Sequence, residues 1–351
     1  MEPAPHLKIS IRENEVEECI FQLLRHVRPK WKSDGIKTKL MTDGITNKLV
    51  LCRNISEDDG IEENVLVRIY GHKTDLLIDR NAEIRNIKLL HQHELAPSLY
   101  ATFENGLVYE FIPGRTLTPE DVLKPEVYRL VARELARMHK VKNPNQRKPE
   151  PNFWSKLHQF VDLIPEKFED EAKQKEYEKQ NFSKEQLLQE IREFREDVND
   201  FDMDVVFAHN DLLLGNVIYN EDKNKVFFID FEYASYNYQP YDIANHFAEF
   251  AGVNDIDYSR FPSKELQMDW LKTYLMEYKE VSTVSESEIE KLYLQVNKFV
   301  LAAHLLWYSW SLIQAAHSHI NFDFVGYSTV RLEDYLKRKP ELKAIKLSTS
   351  L

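Results

Sequence analysis

Residues 209–233, HNDLLLGNVIYNEDKNKVFFIDFEY, constrain the fold of this chain more than any other stretch. Two short apolar runs, 217–219 and 226–229, flank a polar segment of Asn, Glu, Asp and Lys that is typical of a turn. The pattern predicts an antiparallel hairpin with its midpoint near residue 223. The apolar run at 205–208 predicts a buried strand that leads into this stretch.

Three polar residues stand at the open end of the predicted hairpin. A midpoint near residue 223 places Asn216 opposite Asp230, and Asp211 lies in the loop that feeds the same end. Two oxygen ligands at one place suit a hard cation such as Mg²⁺. A carboxylate one loop away suits a group that orients a hydroxyl and accepts its proton. The alternative, three unrelated turn residues, is disfavoured because spacing, strand context and register agree.

The spacing Asp-x₄-Asn, followed by a strand-terminal Asp-Phe, is that of the catalytic and metal-binding loops of protein kinases. Asn210 stands where those kinases have Arg, and Glu232 stands where they have Gly. The first change removes the Arg that commonly binds a phosphorylated activation loop in protein kinases. The second change argues against a mobile metal-binding loop. Both changes favour a small-molecule kinase.

The N-terminal part supplies candidates for a nucleotide site. Arg68, in a predicted strand, takes the place of the phosphate-binding Lys of kinases, and Arg can bind phosphate bidentately. Glu83, on the following helix, is predicted to share a face with Ile87 and Leu90 and to pair with Arg68. Outside a kinase, Glu83 would be a surface residue.

Two further segments complete the predicted nucleotide site. A turn that could lie over the phosphates, or be only a hairpin turn, contains Asp43, Gly44, Thr46 and Asn47. The segment 107–112 would connect two lobes, and its backbone, near Glu110 and Ile112, could meet adenine.

Strand and helix signals separate along the chain. Strands are predicted at 36–41, 48–52, 65–71 and within 98–112, with a helix at about 75–93. Thr118 and Pro119 predict the start of a helix, after which the chain reads mostly helical. Capping boxes predict helix starts at Ser183 and Ser285. The fold class is therefore α+β, with a small β-rich lobe at 1–112 and a larger α-rich lobe at 113–351.

Composition limits the compartment and the partners. A net charge of -12 argues against nucleic acid as the main partner, because phosphate binding requires a basic face. Cys19 and Cys52 fit neither a zinc site nor a disulfide framework, which favours a reducing cytosol. The N-terminus lacks the pattern of a signal peptide. The most apolar segment, 299–316, carries four polar residues, so we expect a buried helix and no stable membrane insertion.

Several motifs resemble the choline/ethanolamine kinase family across residues 20–345. They are HNDLLLGNVIYN at 209–220, IDFEYASYNYQPYDIANHFAEF at 229–250, TDGITNKL at 42–49, VRIYG at 67–71 and VNKFVLAAHLLWYSW at 296–310. Within the family, NHFAEFAGVNDIDY, TDGITNKL and HNDLL are more similar to members that act on ethanolamine. The resemblance implies a protein-kinase-like two-lobe fold. It also implies ATP- and Mg²⁺-dependent phosphorylation of ethanolamine in the cytosol, the first step of the CDP-ethanolamine route to phosphatidylethanolamine.

The resemblance also implies roles for individual residues. Asp211 would be the catalytic base and contact the substrate, Asn216 and Asp230 would bind Mg²⁺, and Arg68 with Glu83 would hold the phosphates of ATP. The amino-alcohol pocket would draw on Glu232, Tyr233, Glu249, Trp307, Trp310 and Tyr327. Aromatic faces and carboxylates both attract an ammonium group.

Two departures from the choline-specific pattern bear on the substrate. Phe250 and Asn254 stand where choline kinases usually carry Trp and Tyr. This difference reduces the aromatic surface around the substrate's ammonium group and fits ethanolamine, which is smaller than choline. Choline kinase or dual specificity is the alternative within the family. A catalytically dead kinase-like binding module is disfavoured, because all three residues at the hairpin end are present. Trp307 and Trp310 could instead be core residues at helical spacing, and a homodimer is left open.

Overall fold

The computed structural model describes residues 4–12, 14–41, 47–55, 60, 62–71, 77–144, 148–253 and 255–345. The chain divides into two compact units, Met1–Pro113 and Gly114–Leu351. The first unit is rich in strands and the second is rich in helices, as the α+β prediction expects.

The described residues of the first unit form one sheet, two α-helices and a short 3-10 helix at Ser33–Gly35. The strands are β1 His6–Leu7, β2 Ile36–Met41, β3 Lys48–Ile55, β4 Glu62–Ile69, β5 Leu99–Phe103 and β6 Gly106–Glu110. The helices are α1 Val16–Val27 and α2 Arg80–Gln92. The strand order is β1-β5-β6-β4-β3-β2, and neighbours are antiparallel except for the parallel pair β1 and β5. The predicted strands are confirmed, although β1 and α1 were not predicted.

Apolar side chains on one face of α1 form the core of this unit with the sheet. Ile20 and Leu23 of α1 pack in one buried cluster with Val65, Val67 and Val108. Burial of these side chains stabilises the unit, since each contributes about 1.5–3 kcal/mol relative to exposure.

Helix α2 begins later than the predicted residue 75. Asp79 is its N-cap, because the Asp79 side chain accepts a hydrogen bond from the N–H of Ala82. Glu83, Ile87 and Leu90 are all buried on one face, as predicted. The helix therefore carries a buried carboxylate toward the sheet.

The described residues of the second unit form eight α-helices and five short strands, besides short 3-10 helices. The helices are α3 Pro125–His139, α4 Phe153–Leu163, α5 Glu171–Lys179, α6 Lys184–Val198, α7 Gln239–Ala248, α8 Lys264–Lys279, α9 Glu286–His317 and α10 Phe324–Ala344. The strands are β7 Arg115–Thr116, β8 Val205–Ala208, β9 Val217–Asn220, β10 Lys225–Phe228 and β11 Ser235–Tyr238. Strands β10, β9 and β7 form one small sheet, and β11 pairs with β8.

The predicted helix start at Thr118 is wrong. Residues Asp121–Leu123 form a single 3-10 turn, and α3 begins only at Pro125. The Asp121 carboxylate accepts hydrogen bonds from the N–H and hydroxyl of Thr118, so these residues close a turn instead of capping a helix. The capping boxes at Ser183 and Ser285 are both confirmed.

The predicted hairpin forms between β9 and β10, but its register is displaced by one residue. Phe228 pairs with Val217, and the N–H of Ile229 donates to the carbonyl of Asn216 at 3.0 Å. The prediction that Asp230 lies opposite Asn216 is therefore wrong. The cause is the turn: Asn220 pairs with Lys225, so the midpoint of the hairpin lies between residues 222 and 223 instead of at residue 223.

Helix α9 contains the most apolar segment and lies in the core of the second unit, against α7 and α10. Two of its serine hydroxyls are satisfied within the helix: Ser309 donates to the Leu305 carbonyl at 2.8 Å and Ser311 donates to the Trp307 carbonyl at 2.6 Å. By length and hydropathy α9 could cross a membrane, but 94% of its most apolar window is buried inside the protein. The expected buried helix is confirmed.

Candidate active site

One buried carboxylate fixes the loop that follows β8. Asp242 on α7 is 0% exposed. It accepts hydrogen bonds from the backbone N–H of His209 at 2.8 Å and of Asn210 at 2.6 Å, and His139 Nε2 lies 2.9 Å from Oδ2. Burial alone would raise the pKa of Asp242, but the hydrogen bond with His139 and the nearby His209 hold that pKa below its ordinary value. Asp242 is therefore a charged anchor for the backbone just before Asp211.

Asn210 has a conformational and a bridging role in this loop. Its φ is 66°, in the left-handed region that Asn tolerates better than most side chains. Its amide nitrogen donates to the carbonyl of Tyr233 and the hydroxyl of Ser235, both at 2.9 Å, and its amide oxygen accepts from Asn237 at 2.7 Å. Asn210 therefore ties the loop to the segment that contains Glu232.

Asp211 and Asn216 are in contact, as the sequence predicted. The Asn216 amide donates to the Asp211 backbone carbonyl at 2.8 Å and lies 3.4 Å from its carboxylate oxygen Oδ2. Burial raises the pKa of Asp211 well above its usual range, and the negative charges of Asp230, Glu249 and Glu232 raise it further. A carboxylate with a raised pKa is suited to accept a proton.

Asp230 follows β10 in a left-handed conformation, with φ of 64°. A carboxylate oxygen of Asp230 and one of Glu232 lie within 4.8 Å of each other. Two carboxylates this close repel one another unless a cation lies between them. Carboxylate oxygens are the kind of ligand that Mg²⁺ prefers, so this pair of side chains fits such an ion.

Indole N–H groups orient the aromatic side chains of the candidate pocket. Trp310 donates to the hydroxyl of Tyr233 at 2.9 Å, and Trp307 donates to the amide oxygen of Asn245 at 2.6 Å. The rings of Tyr233 and Trp307 meet edge to face at 5.7 Å, and those of Trp307 and Trp310 at 5.5 Å. Asn245 lies one turn from Asp242 on α7, so the same helix holds this aromatic wall and the loop of Asp211.

Glu249 and Tyr327 are brought together by a residue that the sequence did not single out. The Arg331 guanidinium donates to Glu249 Oε1 and to the Tyr327 hydroxyl. All three side chains are buried. Phe250, next along the chain, is also buried and packs against the ring of His246.

In the first unit, Arg68 and Glu83 form the predicted pair. Arg68 Nη1 lies 2.9 Å from Glu83 Oε1, and Glu83 is 0% exposed. Arg80, which was not predicted, donates to Glu83 Oε2 at 3.0 Å and lies 3.3 Å from the amide oxygen of Asn47. Glu83 therefore joins two guanidinium groups near Asn47.

Glu110, the last residue of β6, and Ile112, two residues later, are the positions predicted to lie near adenine, and they differ in their hydrogen bonds. The Glu110 carboxylate accepts hydrogen bonds from the N–H and hydroxyl of Ser98, and the Glu110 N–H donates to the Ser98 carbonyl. Ile112, by contrast, makes no hydrogen bond to any residue that the structure describes.

Four residues of the sequence predictions lie outside the described ranges: Asp43, Gly44, Thr46 and Asn254.

Four buried residues that the sequence did not predict hold other residues of the candidate site in place: Asp242, Asn245, His246 and Arg331. Asp242, Asn245 and His246 recur at helical spacing inside a helix whose other residues are mostly apolar, and that spacing was a detectable signal of a buried polar face. His246 Nδ1 lies 2.9 Å from the carbonyl of Leu212, so this face contacts both ends of the loop. Arg331 follows Tyr327 by one helical turn, which is too common a spacing to identify it from sequence.

Comparison with known proteins identifies the family. A sequence model described as Choline/ethanolamine kinase matches residues 38–336. The chain belongs to the choline/ethanolamine kinase family. Ethanolamine kinase 1 of Mus musculus is 46% identical over 350 residues, which cover 98% of this chain and 96% of that protein. Ethanolamine kinase of Drosophila melanogaster is 42% identical over 417 residues, which cover 97% of this chain and 80% of that protein.

A solved structure agrees with this assignment to the choline/ethanolamine kinase family. The Plasmodium vivax ethanolamine kinase superposes with a TM-score of 0.81 at 28% identity, covering 95% of this chain and 91% of that one. The predicted family and the predicted protein-kinase-like fold are both confirmed.

The anchoring role of Asp242 predicts the effect of Asp242→Asn. An amide nitrogen would then face a backbone N–H, so one buried donor loses its acceptor. We expect the free energy of unfolding to fall by about 1–3 kcal/mol and kcat to fall about 100-fold through misplacement of Asp211. Urea denaturation and steady-state kinetics measure the two effects. Asp162→Asn, on an exposed helix face, is the control. A folded Asp242→Asn variant with unchanged kcat would contradict the role.

Proposed function

We propose that this protein is an ATP- and Mg²⁺-dependent ethanolamine kinase that forms phosphoethanolamine and ADP. The observation that carries the proposal is buried Asp211, in contact with Asn216 and close to the carboxylates of Asp230 and Glu232. Relatives over 40% identical across nearly the whole chain are named ethanolamine kinases, which supports the choice of substrate. Phosphoethanolamine formation is the first step of the CDP-ethanolamine route to phosphatidylethanolamine.

Asp211 is the catalytic base in this proposal. It accepts the proton of the ethanolamine hydroxyl as that oxygen bonds to the γ-phosphorus. The bond between the γ-phosphorus and the bridging oxygen breaks, and ADP leaves with that oxygen. The raised pKa of Asp211 and its fixed loop both support this role. Catalysis then depends mainly on positioning and electrostatics.

We assign Asn216 and Asp230 as the Mg²⁺ ligands. Glu232 lies close enough to Asp230 to stabilise the same cation, in addition to its assigned contact with substrate. Bound there, Mg²⁺ would neutralise charge on the β- and γ-phosphate oxygens.

We assign ATP binding to the lobe of residues 1–112 and catalysis with substrate binding to residues 113–351. Arg68, held by Glu83, would contact the phosphates, because a buried guanidinium in a fixed orientation can donate two hydrogen bonds to them. The turn with Asp43, Gly44, Thr46 and Asn47 would cover the phosphates. The backbone near Glu110 and Ile112 would meet adenine, and the uncommitted backbone of Ile112 supports that contact.

The ammonium group of ethanolamine would bind among carboxylates and aromatic faces. The residues assigned to this pocket are Glu232, Tyr233, Glu249, Trp307, Trp310 and Tyr327. A primary ammonium carries N–H donors for the carboxylates and also attracts aromatic faces. The hydrogen-bonded, edge-to-face rings of Tyr233, Trp307 and Trp310 support a preformed aromatic wall.

Choline is the second candidate substrate, alone or beside ethanolamine. A quaternary ammonium has no N–H donor and relies on aromatic faces, and the same aromatic wall could receive it. The carboxylates Glu232 and Glu249 favour ethanolamine over choline, because a primary ammonium can donate hydrogen bonds to them and a quaternary ammonium cannot.

We place the activity in the cytosol, without nucleic acid or stable membrane insertion, and leave a homodimer open.

The role of Asp211 predicts the effect of Asp211→Asn. Without the base, kcat should fall about 100- to 10,000-fold, while KM for ATP changes little. ADP release measures both values. Asp222→Asn, in the exposed turn of the same hairpin, should retain wild-type activity. Wild-type-like turnover by Asp211→Asn would refute the assigned role.

The carboxylates of the pocket predict a preference for ethanolamine. We expect kcat/KM for ethanolamine to exceed that for choline by about 10-fold or more, since hydrogen bonds to a charged group are lost with choline. ADP release in the presence of each amino alcohol measures the ratio. A ratio below one would favour the choline assignment, and no stimulation by either compound would indicate a binding module without this activity.

A further inference from the structure

A buried cation lies in the pocket that we assign to a cationic substrate. Arg331 on α10 is 1% exposed, and the mechanism above gives it no role. A guanidinium is costly to bury unless charged partners compensate it. A cation at this place would also repel an ammonium group, so its presence calls for a physical explanation.

Among the described residues, Arg331 donates hydrogen bonds only to two residues of the assigned pocket, and its guanidinium carbon lies 5.9 Å from the centre of the Tyr258 ring. Nη2 donates to Glu249 Oε1 and to the Tyr327 hydroxyl, and Nε donates to the same hydroxyl at 3.0 Å. The guanidinium carbon also lies 5.0 Å from the centre of the Tyr327 ring. Nη1 is buried and has no hydrogen-bond partner among the described residues. Arg331 thus fixes a carboxylate and an aromatic ring at once.

This arrangement leaves Glu249 with one committed and one available oxygen. Oε1 is occupied by Arg331, whereas Oε2 accepts no hydrogen bond from any residue that the structure describes. A primary ammonium needs an acceptor at a defined position for its N–H groups. A quaternary ammonium has no N–H group, so its binding depends much less on where that oxygen lies.

The charges around Arg331 keep it ionised. Burial works to lower the pKa of Arg331, but Glu249, with Tyr258 and Tyr327, holds that pKa above its ordinary value. The positive charge in turn acts on Asp211, where it opposes the effect of the neighbouring carboxylates. Arg331 is therefore a permanent cation that balances a strongly negative pocket.

We infer that Arg331 is a specificity-determining positioning residue. It holds Glu249 so that Oε2 presents a fixed acceptor to the N–H groups of a primary ammonium, and it holds the ring of Tyr327 beside that acceptor. The pocket thereby selects ethanolamine over its N-methylated homologues. This inference rests on the proposed function.

The test compares Arg331→Lys and Arg331→Gln with the wild-type enzyme on ethanolamine, N-methylethanolamine, N,N-dimethylethanolamine and choline. Neither variant can hold Glu249 and Tyr327 with the same planar fork. We expect kcat/KM for ethanolamine to fall about 10- to 100-fold, with progressively smaller losses along the methylated series. The ratio of ethanolamine to choline should therefore contract, while KM for ATP stays unchanged.

Two further variants separate positioning from folding. Tyr327→Phe removes one acceptor of the guanidinium and keeps the charge, and it should shift the substrate ratio in the same direction by a smaller factor. Arg338→Lys is the control on the same helix, because Arg338 donates to Asp334 and the Tyr258 carbonyl instead of Glu249. Its substrate ratio should equal that of the wild type.

The outcomes distinguish this inference from the proposed function. An equal loss on all four substrates in folded Arg331 and Tyr327 variants would overturn the inference, because it would show a merely structural role. A wild-type ratio in those variants would overturn it as well. A wild-type enzyme that does not phosphorylate ethanolamine would instead refute the proposed function.

Discussion

The carboxylate of Asp242 is the interaction on which the rest of the site depends. It accepts from two successive backbone N–H groups at 209 and 210, and it lies on the same helix as Asn245, which holds the indole of Trp307. One short helix therefore positions the candidate base and the aromatic wall together. Because Asp242 is fully buried, each hydrogen bond it accepts matters more than it would in water. The loop can be a rigid platform although it has no regular secondary structure.

A second constraint is electrostatic. Asp211, Asp230, Glu232 and Glu249 concentrate negative charge, and Arg331 counters part of it. Such a site is unfavourable by itself and becomes favourable when cations bind, which is the property that a pocket for Mg²⁺ and an ammonium group requires. The same charges that raise the pKa of Asp211 thus prepare the site for its cationic ligands. Structural stability and ligand affinity are set here by one group of side chains.

The sequence predicted the features that depend on local pattern. The hairpin and the contact of Asp211 with Asn216 follow from strand periodicity and spacing. The pairing of Arg68 with Glu83 follows from the comparison with the kinase pattern. The predicted register of the hairpin was wrong by one residue, because the exact closure of a polar turn depends on backbone geometry that composition does not specify. Asp242 and Arg331 were missed for another reason. Their partners are 32 and 82 residues away in the chain, so only the tertiary fold brings each of them to its partner.

The most direct measurement of the central claim is ³¹P NMR of the enzyme with ATP, Mg²⁺ and ethanolamine. The account predicts that a phosphomonoester signal of phosphoethanolamine grows in equal amount to ADP and that omission of ethanolamine stops ADP formation. ADP that appears with inorganic phosphate alone would contradict the account, because the γ-phosphoryl group would then pass to water instead of the substrate hydroxyl. Absence of any ethanolamine-dependent product would contradict it equally.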